Sequence, residues 1–303
     1  IQGGASVLTS QSQCPFKAFA TARLGARSWE LAEAGLTAAQ RGQLLHAVLH
    51  AVWGGPPHGL RSHDDLHNRK DLAAFVEGHV QTILREQMPA GARERMPRRY
   101  LELEETRLTR LVIEWLTYEA ARVPFSVVET EADRTVPLAG LTLKVRLDRI
   151  DRLNDGSQLV IDYKSGVVSP KAWELPRPDD VQLPLYAGFA LDSDEVLGGL
   201  VFAKVRTGET CFVGHVGDAS ATLFAGLKGH NTLVKDALTA EQLIDWRKFI
   251  EQLARNFVAG RAEVDPRDPI ATCGRCGLQA LCRIQENQAQ VEAEDESEEA
   301  ADE

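Results

Sequence analysis

The sequence predicts an α/β protein in which helices flank a mixed central sheet. Two observations lead to this prediction. Segments with helical periodicity alternate along the chain with pairs of strand-like segments joined by turn signals, an order typical of a sheet covered by helices. Hydrophobic residues make up 44% of the 303 residues, which is enough for a sizeable core.

The first half of the chain is predicted to be helical. Thr37-Ala38-Ala39-Gln40 fits a capping box and opens an amphipathic helix that carries His46. A longer helical region spans about 71 to 123 and is interrupted by prolines that do not fit inside a helix. We interpret residues 60 to 123 as a helical insertion in the domain.

The second half of the chain alternates strands with helices. Apolar and polar residues alternate in its strand-like segments, and glycine-containing turns separate them. The predicted elements are strands from Phe125 to Lys164 with turns at Gly140 and at Asn154-Asp155-Gly156, a helix from Asp179 to Leu191, a hairpin of Leu197 to Val205 and Thr210 to Val216, and a helix from Ala240 to Val258.

Two carboxylates and a lysine meet at one end of the central hairpin. Asp148 and Asp162 fall on neighbouring strands, and Lys164 follows the second aspartate by two residues. Converging carboxylates suit a hard divalent cation, and the lysine suits an attacking water or a phosphate, so the pattern indicates phosphodiester hydrolysis. The alternative is a set of solvent-facing charges paired across the hairpin. Asp162 follows the apolar run Leu159-Val160-Ile161, where an ionised group is costly unless it binds something, which favours a metal.

The net charge of −10 is concentrated at the C-terminus. Residues 286 to 303 hold nine acids and no base, so the remainder carries a net charge of only −1 and a nucleic-acid partner is not excluded. Such a tail cannot bury apolar surface and is predicted to be disordered. No apolar run predicts a membrane span and no leader is recognisable. The start at Ile1, without Met, indicates a fragment of a longer polypeptide.

Four of the five cysteines fit a ligand pattern. Cys273, Cys276 and Cys282 are closely spaced, and Cys14 lies far upstream. Because nothing indicates a secreted protein, this spacing favours metal or cluster ligation over disulfides. Zinc and a 4Fe-4S cluster both accept four thiolates, and the spacing does not choose between them. Buried free thiols are the structural alternative, and they are the preferred interpretation for Cys211.

Together these residues resemble the RecB/AddB-type nuclease domains of the PD-(D/E)XK superfamily, in the iron–sulfur-stapled branch that also includes CRISPR-associated adaptation exonucleases. The resemblance covers residues 1 to 285 and implies a restriction-endonuclease-like fold. More narrowly, the chain is similar to the C-terminal domain of probable bacterial DNA repair proteins, in which the nuclease follows an inactivated helicase-like region. The matching pieces, in order, are Cys14-Pro15-Phe16, Arg41-Gly42-x-Leu44-x-His46, Leu147-Asp148-Arg149-Ile150-Asp151, Asp162-Tyr163-Lys164, Gln182-x-x-x-Tyr186, and the trio Cys273, Cys276 and Cys282.

The resemblance implies a metal site on the hairpin. Asp148 and Asp162 would bind Mg²⁺ or Mn²⁺, and the carbonyl of Tyr163 and the side chain of His46 would complete the ligand set. Glu131, on the preceding strand, is a further acidic candidate, although an ordinary surface position explains it equally well.

The resemblance also implies catalytic roles and a cluster. Lys164 would orient or help deprotonate the attacking water and offset charge on the phosphorus. Gln182 and Tyr186, one helical turn apart, would steer the substrate backbone or hold the lysine. Four thiolates, from Cys14, Cys273, Cys276 and Cys282, would ligate a 4Fe-4S cluster, with zinc as the alternative occupant. The cluster would staple the N-terminal segment to the C-terminal segment.

These implications define the predicted function. The chain would be a metal-dependent deoxyribonuclease, an exonuclease rather than an endonuclease, and one module of a cytoplasmic bacterial repair or recombination protein. Its partners would be DNA and a helicase or helicase-like module, with no membrane. Two alternatives remain open: a nuclease-inactive DNA-binding or scaffolding module with the same fold, and a zinc-stabilised structural domain.

Overall fold

The structure is a computed structural model that describes residues 2–29, 35–88, 91–191, 196–217, 227, 233–236 and 238–286. The predicted acidic tail, apart from Glu286, lies outside the described residues. Within these ranges, no helix combines the length and the apolar character needed to cross a membrane.

One group of helices lies before residue 120 and a second group lies after residue 181. Helix α3 begins with the predicted capping box, in which Thr37 Oγ1 accepts from Gln40 N–H and Gln40 Oε1 accepts from Thr37 N–H. The helices of the described residues are α1 (Ala5–Gln13), α2 (Pro15–Ala22), α3 (Ala38–Trp53), α4 (His63–His67), α5 (Leu72–Gln87), α6 (Ala92–Arg95), α7 (Arg98–Glu119), α8 (Gln182–Leu185), α9 (Ala240–Val258), α10 (Pro269–Gly274) and α11 (Gln279–Cys282). A 3₁₀ turn (Pro170–Trp173) precedes α8, and a π-helical turn (Tyr186–Ala190) continues it.

Seven strands within the described ranges form one mixed sheet. They are β1 (Gln2–Gly3), β2 (Phe125–Leu138), β3 (Leu141–Leu153), β4 (Gln158–Lys164), β5 (Leu197–Lys204), β6 (Cys211–Val216) and β7 (Leu233–Asp236). Strand β3 pairs along its length with β2, and on its other side with β1 and then with β4. The order continues through β5 and β6 to β7, with parallel pairing in β1–β3, β4–β5 and β6–β7 and antiparallel pairing elsewhere.

Helices cover both faces of this sheet. On one face, α3, α4, α5 and α7 share a core with β4, β5 and β6, centred on the fully buried Trp53 and Trp115. On the other face, α1, α2, α8 and α9 pack around Trp173 and Trp246. The predicted fold class, a mixed sheet flanked by helices, is therefore confirmed.

The helices predicted as an insertion pack directly on the sheet. Their apolar residues, such as Val80 on α5 and Val112 on α7, belong to the same core cluster as Ile161 on β4. The domain boundaries, including the insertion at 60 to 123, remain predictions. The helix predicted from Asp179 begins only at Gln182, whose N–H is taken by the Asp180 side chain at 2.8 Å.

A buried group of four charged side chains ties α7 to the central hairpin. Arg149 donates to Glu119 and to both oxygens of Asp151, and Arg122 donates to the same two carboxylates, all at 2.6 to 3.0 Å. Arg149 also donates to Tyr163 Oη at 3.1 Å. The four side chains are fully shielded from solvent and their charges balance, as a buried ion network requires.

Candidate active site

The two predicted aspartates lie where strands β3 and β4 separate. The antiparallel ladder between these strands ends at the pair Arg149 and Ile161, and Asp148 and Asp162 follow directly after it. Strand β3 then continues beside β1 and β2, while β4 continues beside β5. The separation leaves the Tyr163 backbone groups on this side to be satisfied by side chains.

Tyr163 positions the first aspartate and the histidine through its backbone. Its N–H donates to Asp148 Oδ2 at 2.8 Å, and its carbonyl accepts from His46 Nε2 at 2.9 Å. Helix α3 supplies His46, whose Nδ1 lies 3.3 Å from the same Asp148 oxygen. The structure therefore brings together three of the four predicted metal ligands, from segments more than one hundred residues apart in the chain.

Glu131 on β2 joins this group. The sequence indicated it as a further acidic candidate, with an ordinary surface position as an equal alternative. Ligand atoms of His46, Glu131 and Asp148 all lie within 4.8 Å of one another. The backbone of Glu131 has a φ of +49°, in the left-handed region that non-glycine residues rarely adopt and that is often found at functional sites. A two-residue turn at Ala139-Gly140 places Glu131 opposite Asp148, so counting outward from this turn could have revealed the pairing.

Asp162 points toward a second group of side chains. Its Oδ2 lies 2.7 Å from Lys164 Nζ, and its Oδ1 accepts from Gln182 Nε2 at 2.6 Å. The oxygen of the same Gln182 amide accepts from Lys164 Nζ at 3.1 Å. The fourth predicted metal ligand thus lies beside Asp148 but outside the group of atoms within 4.8 Å, and it is held by the lysine and the glutamine.

Tyr186 holds the side chain of Gln182 through a hydrogen bond. Its hydroxyl accepts from Gln182 Nε2 at 2.8 Å and donates to the carbonyl of Arg146 on β3 at 2.8 Å. The tyrosine is buried, and burial raises the pKa of its hydroxyl, so the group stays protonated. Of the two predicted roles for this pair, the contacts favour holding Lys164, directly for Gln182 and through Gln182 for Tyr186.

The carboxylates of the site raise the pKa values of neighbouring groups. Burial, followed by the charge of Asp148, raises the pKa of Asp162 to about 7, against the opposing effect of Lys164. Burial lowers the pKa of His46, but the hydrogen bond and charge of Asp148, with the charges of Asp162 and Glu131, raise it above its ordinary value. The site therefore has an excess of negative charge that retains protons near neutral pH.

Lys164 keeps its proton. Burial lowers its pKa, but the charges of Asp162 and Asp180 more than offset this and raise the pKa above its ordinary value. An ammonium donates hydrogen bonds and carries a positive charge, but it does not accept a proton.

Two clefts adjoin these residues. The histidine cleft, of about 770 Å³, is lined by Gln43, His46, Gln87, Glu131, Arg146 and Asp148. The lysine cleft, of about 530 Å³, is lined by Lys164, Ser169, Lys171, Asp179, Arg267 and Arg275. The ligand group opens into the first cleft and the lysine into the second.

The donor set at the histidine cleft fits a divalent cation. It offers carboxylate oxygens from Glu131 and Asp148, with Asp162 next to them, the Tyr163 carbonyl and one imidazole nitrogen of His46. Hard oxygen donors with a single imidazole suit Mg²⁺ or Mn²⁺. The excess negative charge gives such a cation an electrostatic reason to bind.

The four predicted cluster ligands are near neighbours in the structure. Burial raises the pKa of the Cys273 thiol, and the charges of Cys14, Cys276 and Cys282 raise it further, so these three side chains lie near Cys273. None of them forms a disulfide. Ligation of a metal or cluster by these thiols remains a prediction. Cys211 is buried on β6, where only a structural role was predicted.

Comparison with known proteins places this geometry in a family. The family model described as "PD-(D/E)XK nuclease superfamily" matches residues 4–283. A solved structure described as "Crystal structure of SSO0001" matches with 14% sequence identity and a TM-score of 0.30, covering 91% of this chain and 94% of the other. No curated protein matches the chain.

Proposed function

This chain belongs to the PD-(D/E)XK nuclease superfamily, and from that premise we propose that it is a metal-dependent deoxyribonuclease. The observation that carries the proposal is the row of carboxylates on three adjacent strands, Glu131, Asp148 and Asp162, with Lys164 at its end. Proteins of this superfamily are generally nucleases that use divalent metals. The intact lysine and carboxylates argue against the nuclease-inactive alternative.

Each side chain has a role in this proposal that follows from its contacts. When bound, a divalent cation supplies positive charge for the phosphoryl oxygens and lowers the pKa of the attacking water. His46, Glu131 and Asp148 would hold the cation, and Asp162 would contribute a further oxygen. The ammonium of Lys164 donates to the water or the phosphate and offsets developing charge, which favours orientation over proton abstraction as its role.

Gln182 is the positioning residue for this lysine. Its amide oxygen accepts from Lys164, and its amide nitrogen donates to Asp162 and to Tyr186, so rotation of the amide breaks all three contacts. The lysine and the aspartate are thereby kept in a fixed relation before substrate binds. Such preorganisation lowers the cost of reaching the reactive geometry.

We further propose that the domain is RecB/AddB-like and acts in DNA repair or recombination, beside a helicase or helicase-like module. The same proposal assigns a 4Fe-4S cluster to Cys14, Cys273, Cys276 and Cys282. Zinc, which also accepts four thiolates, is the alternative occupant of the same site.

The nuclease proposal is tested by incubating the protein with end-labelled single- and double-stranded DNA, with Mg²⁺, with Mn²⁺ or with a chelator. We expect cleavage only with metal. Lys164→Ala and Asp162→Ala should each lower the rate by at least about a hundredfold, because they remove charge stabilisation and a metal ligand. The products resolved on a gel would show whether cleavage starts at DNA ends.

The matched control is Lys248→Ala, which removes an exposed lysine on α9 and should leave the rate unchanged. Wild-type protein that binds DNA but never cleaves it with either metal would establish the nuclease-inactive alternative. Full activity of Lys164→Ala would show that the site has been assigned to the wrong residues.

A further inference from the structure

The lysine cleft has a basic lining that the catalytic roles do not explain. Lys171, Arg267 and Arg275 surround it together with Lys164, whereas the acidic ligand group opens into the histidine cleft. Lys171 comes from the 3₁₀ turn, Arg267 from the segment before α10, and Arg275 from the end of α10. Three separate segments therefore contribute cations to one cleft beside the reacting groups.

The acids of this cleft are already engaged by other groups. Both oxygens of Asp179 accept from Arg275 at 3.2 Å, and Asp180 accepts from the N–H of Gln182 at 2.8 Å. The ammonium of Lys171 is exposed and has no ion-pair partner within the described part of the chain. Lys164 is paired with Asp162 and Arg275 with Asp179. Lys171 and Arg267 therefore outnumber the remaining acid, Asp180, and the lining retains positive charge for an anionic ligand.

The two arginines are positioned by backbone contacts. Arg267 donates through its side-chain Nε to the carbonyl of Arg177, and its backbone N–H donates to the carbonyl of Gln13 at 2.7 Å. Arg275 donates through Nε to the carbonyl of Ala271 at 3.0 Å. A guanidinium has five N–H groups, so each arginine keeps donors for a phosphate after these contacts are made.

We infer that the lysine cleft is a phosphate-binding subsite for the nucleic-acid strand on the far side of the scissile bond. The strand would pass from the histidine cleft, over the point where β3 and β4 separate, into the lysine cleft. Arg275 would exchange Asp179 for a backbone phosphate as the strand enters. This inference rests on the proposed function, since it describes where the substrate of the same site would bind.

The test measures binding of fluorescein-labelled single-stranded DNA by anisotropy, without divalent metal so that no cleavage occurs. The strand has about 20 nucleotides, longer than typical single-strand binding sites. Lys171→Ala and Arg275→Ala should each weaken binding about fivefold near 0.1 M salt and make the slope of log affinity against log salt shallower by about 0.7, the value for one lost phosphate contact.

Asp179→Asn provides a prediction of opposite sign. It removes a carboxylate that competes for Arg275, so binding should become tighter, whereas a merely structural contact between these residues would make its loss weaken binding. Arg255→Ala removes an exposed, ion-paired arginine on α9 and should change neither affinity nor slope.

Failure of the subsite and failure of the proposed function give different results. The subsite is wrong if Lys171→Ala binds with wild-type affinity and slope while the wild-type protein cleaves DNA with metal. Lys171 is exposed, and its side chain makes no hydrogen bond or ion pair with the residues that the structure describes, so this variant tests the inference even if Arg275→Ala does not fold. Wild-type protein that neither binds nor cleaves DNA would overturn the proposed function and this inference together.

Discussion

The protonation of single side chains in this site is set by their neighbours. Burial, followed by the charge of Asp148, raises the pKa of Asp162. For His46, burial lowers the pKa, but the hydrogen bond and charge of Asp148 raise it above its ordinary value. A raised pKa means that the folded protein holds a proton longer as the pH increases. A cation that binds to these groups must displace that proton, so metal binding and pH are linked.

We therefore predict that the affinity for Mn²⁺ increases at least about tenfold between pH 6 and 8. Below about pH 7, the raised pKa of Asp162 keeps its carboxyl protonated, and the raised pKa of His46 extends its imidazolium form to higher pH; both forms are poor ligands. As the pH increases, both groups lose their protons and become free to bind. Isothermal titration calorimetry at a series of pH values measures the profile.

Asp162→Asn should flatten this profile, whereas Asp245→Asn, which alters an exposed acid on α9, should leave it unchanged. An affinity that stays constant from pH 6 to 8 in the wild-type protein would show that these protons do not compete with the metal.

The sequence reveals the individual site residues to different degrees. Asp148, Asp162 and Lys164 are accessible to reasoning from the hairpin, since a turn fixes which strand positions are neighbours. His46 is not, because its contact with Tyr163 spans 117 residues and depends on how α3 packs on the sheet. Glu131 is intermediate: its register follows from the turn, but its unusual φ of +49° has no signal in the sequence.

Whole elements were predicted best where their own residues determine them. The capping box at Thr37 and the strands on either side of the Asn154-Asp155-Gly156 turn appear as predicted. The very short strand β1 was not predicted, because two residues, Gln2 and Gly3, are too few to show the alternation of apolar and polar residues typical of a strand. Helix α8 starts at Gln182 rather than at Asp179. The side chain of Asp180 accepts a hydrogen bond from the N–H of Gln182 at this start.

The buried ion network is the main polar link between α7 and the hairpin. Asp151 accepts from both Arg149 and Arg122, so its removal leaves two buried guanidinium groups short of negative charge. Asp151→Ala should therefore lower the free energy of unfolding by about 3 to 5 kcal/mol, the range for breaking a buried pair. Urea unfolding followed by tryptophan fluorescence measures the change.

The comparison is an exposed pair on α9. Glu251→Ala removes the partner of Arg255, and should cost no more than about 0.5 kcal/mol because both groups remain hydrated. A loss below about 1 kcal/mol for Asp151→Ala would mean that water reaches the network after the substitution.

On the scale of the whole molecule, the two ends of the described chain are joined. The N–H of Phe16 donates to the carbonyl of Glu263 at 3.0 Å, and the N–H of Arg267 donates to the carbonyl of Gln13 at 2.7 Å. Cys14 lies between these contacts and near the C-terminal cysteines. A group ligated by the four thiols would therefore strengthen a closure that hydrogen bonds already make.

The effect of that closure is testable with two equally buried thiols, Cys14 and Cys211, which are 7% and 8% exposed. We predict that Cys14→Ala loses the bound iron or zinc and about 3 kcal/mol of stability, the order expected for opening a long cross-linked loop, which corresponds to roughly 5 to 10 °C in Tm. Cys211→Ala creates a similar small cavity without touching the ligand set, so it should keep its metal. Elemental analysis, the visible absorption of an iron–sulfur cluster and thermal unfolding read out the two variants side by side. Retained metal and an unchanged Tm in Cys14→Ala would show that the hydrogen bonds close the molecule without the cysteines.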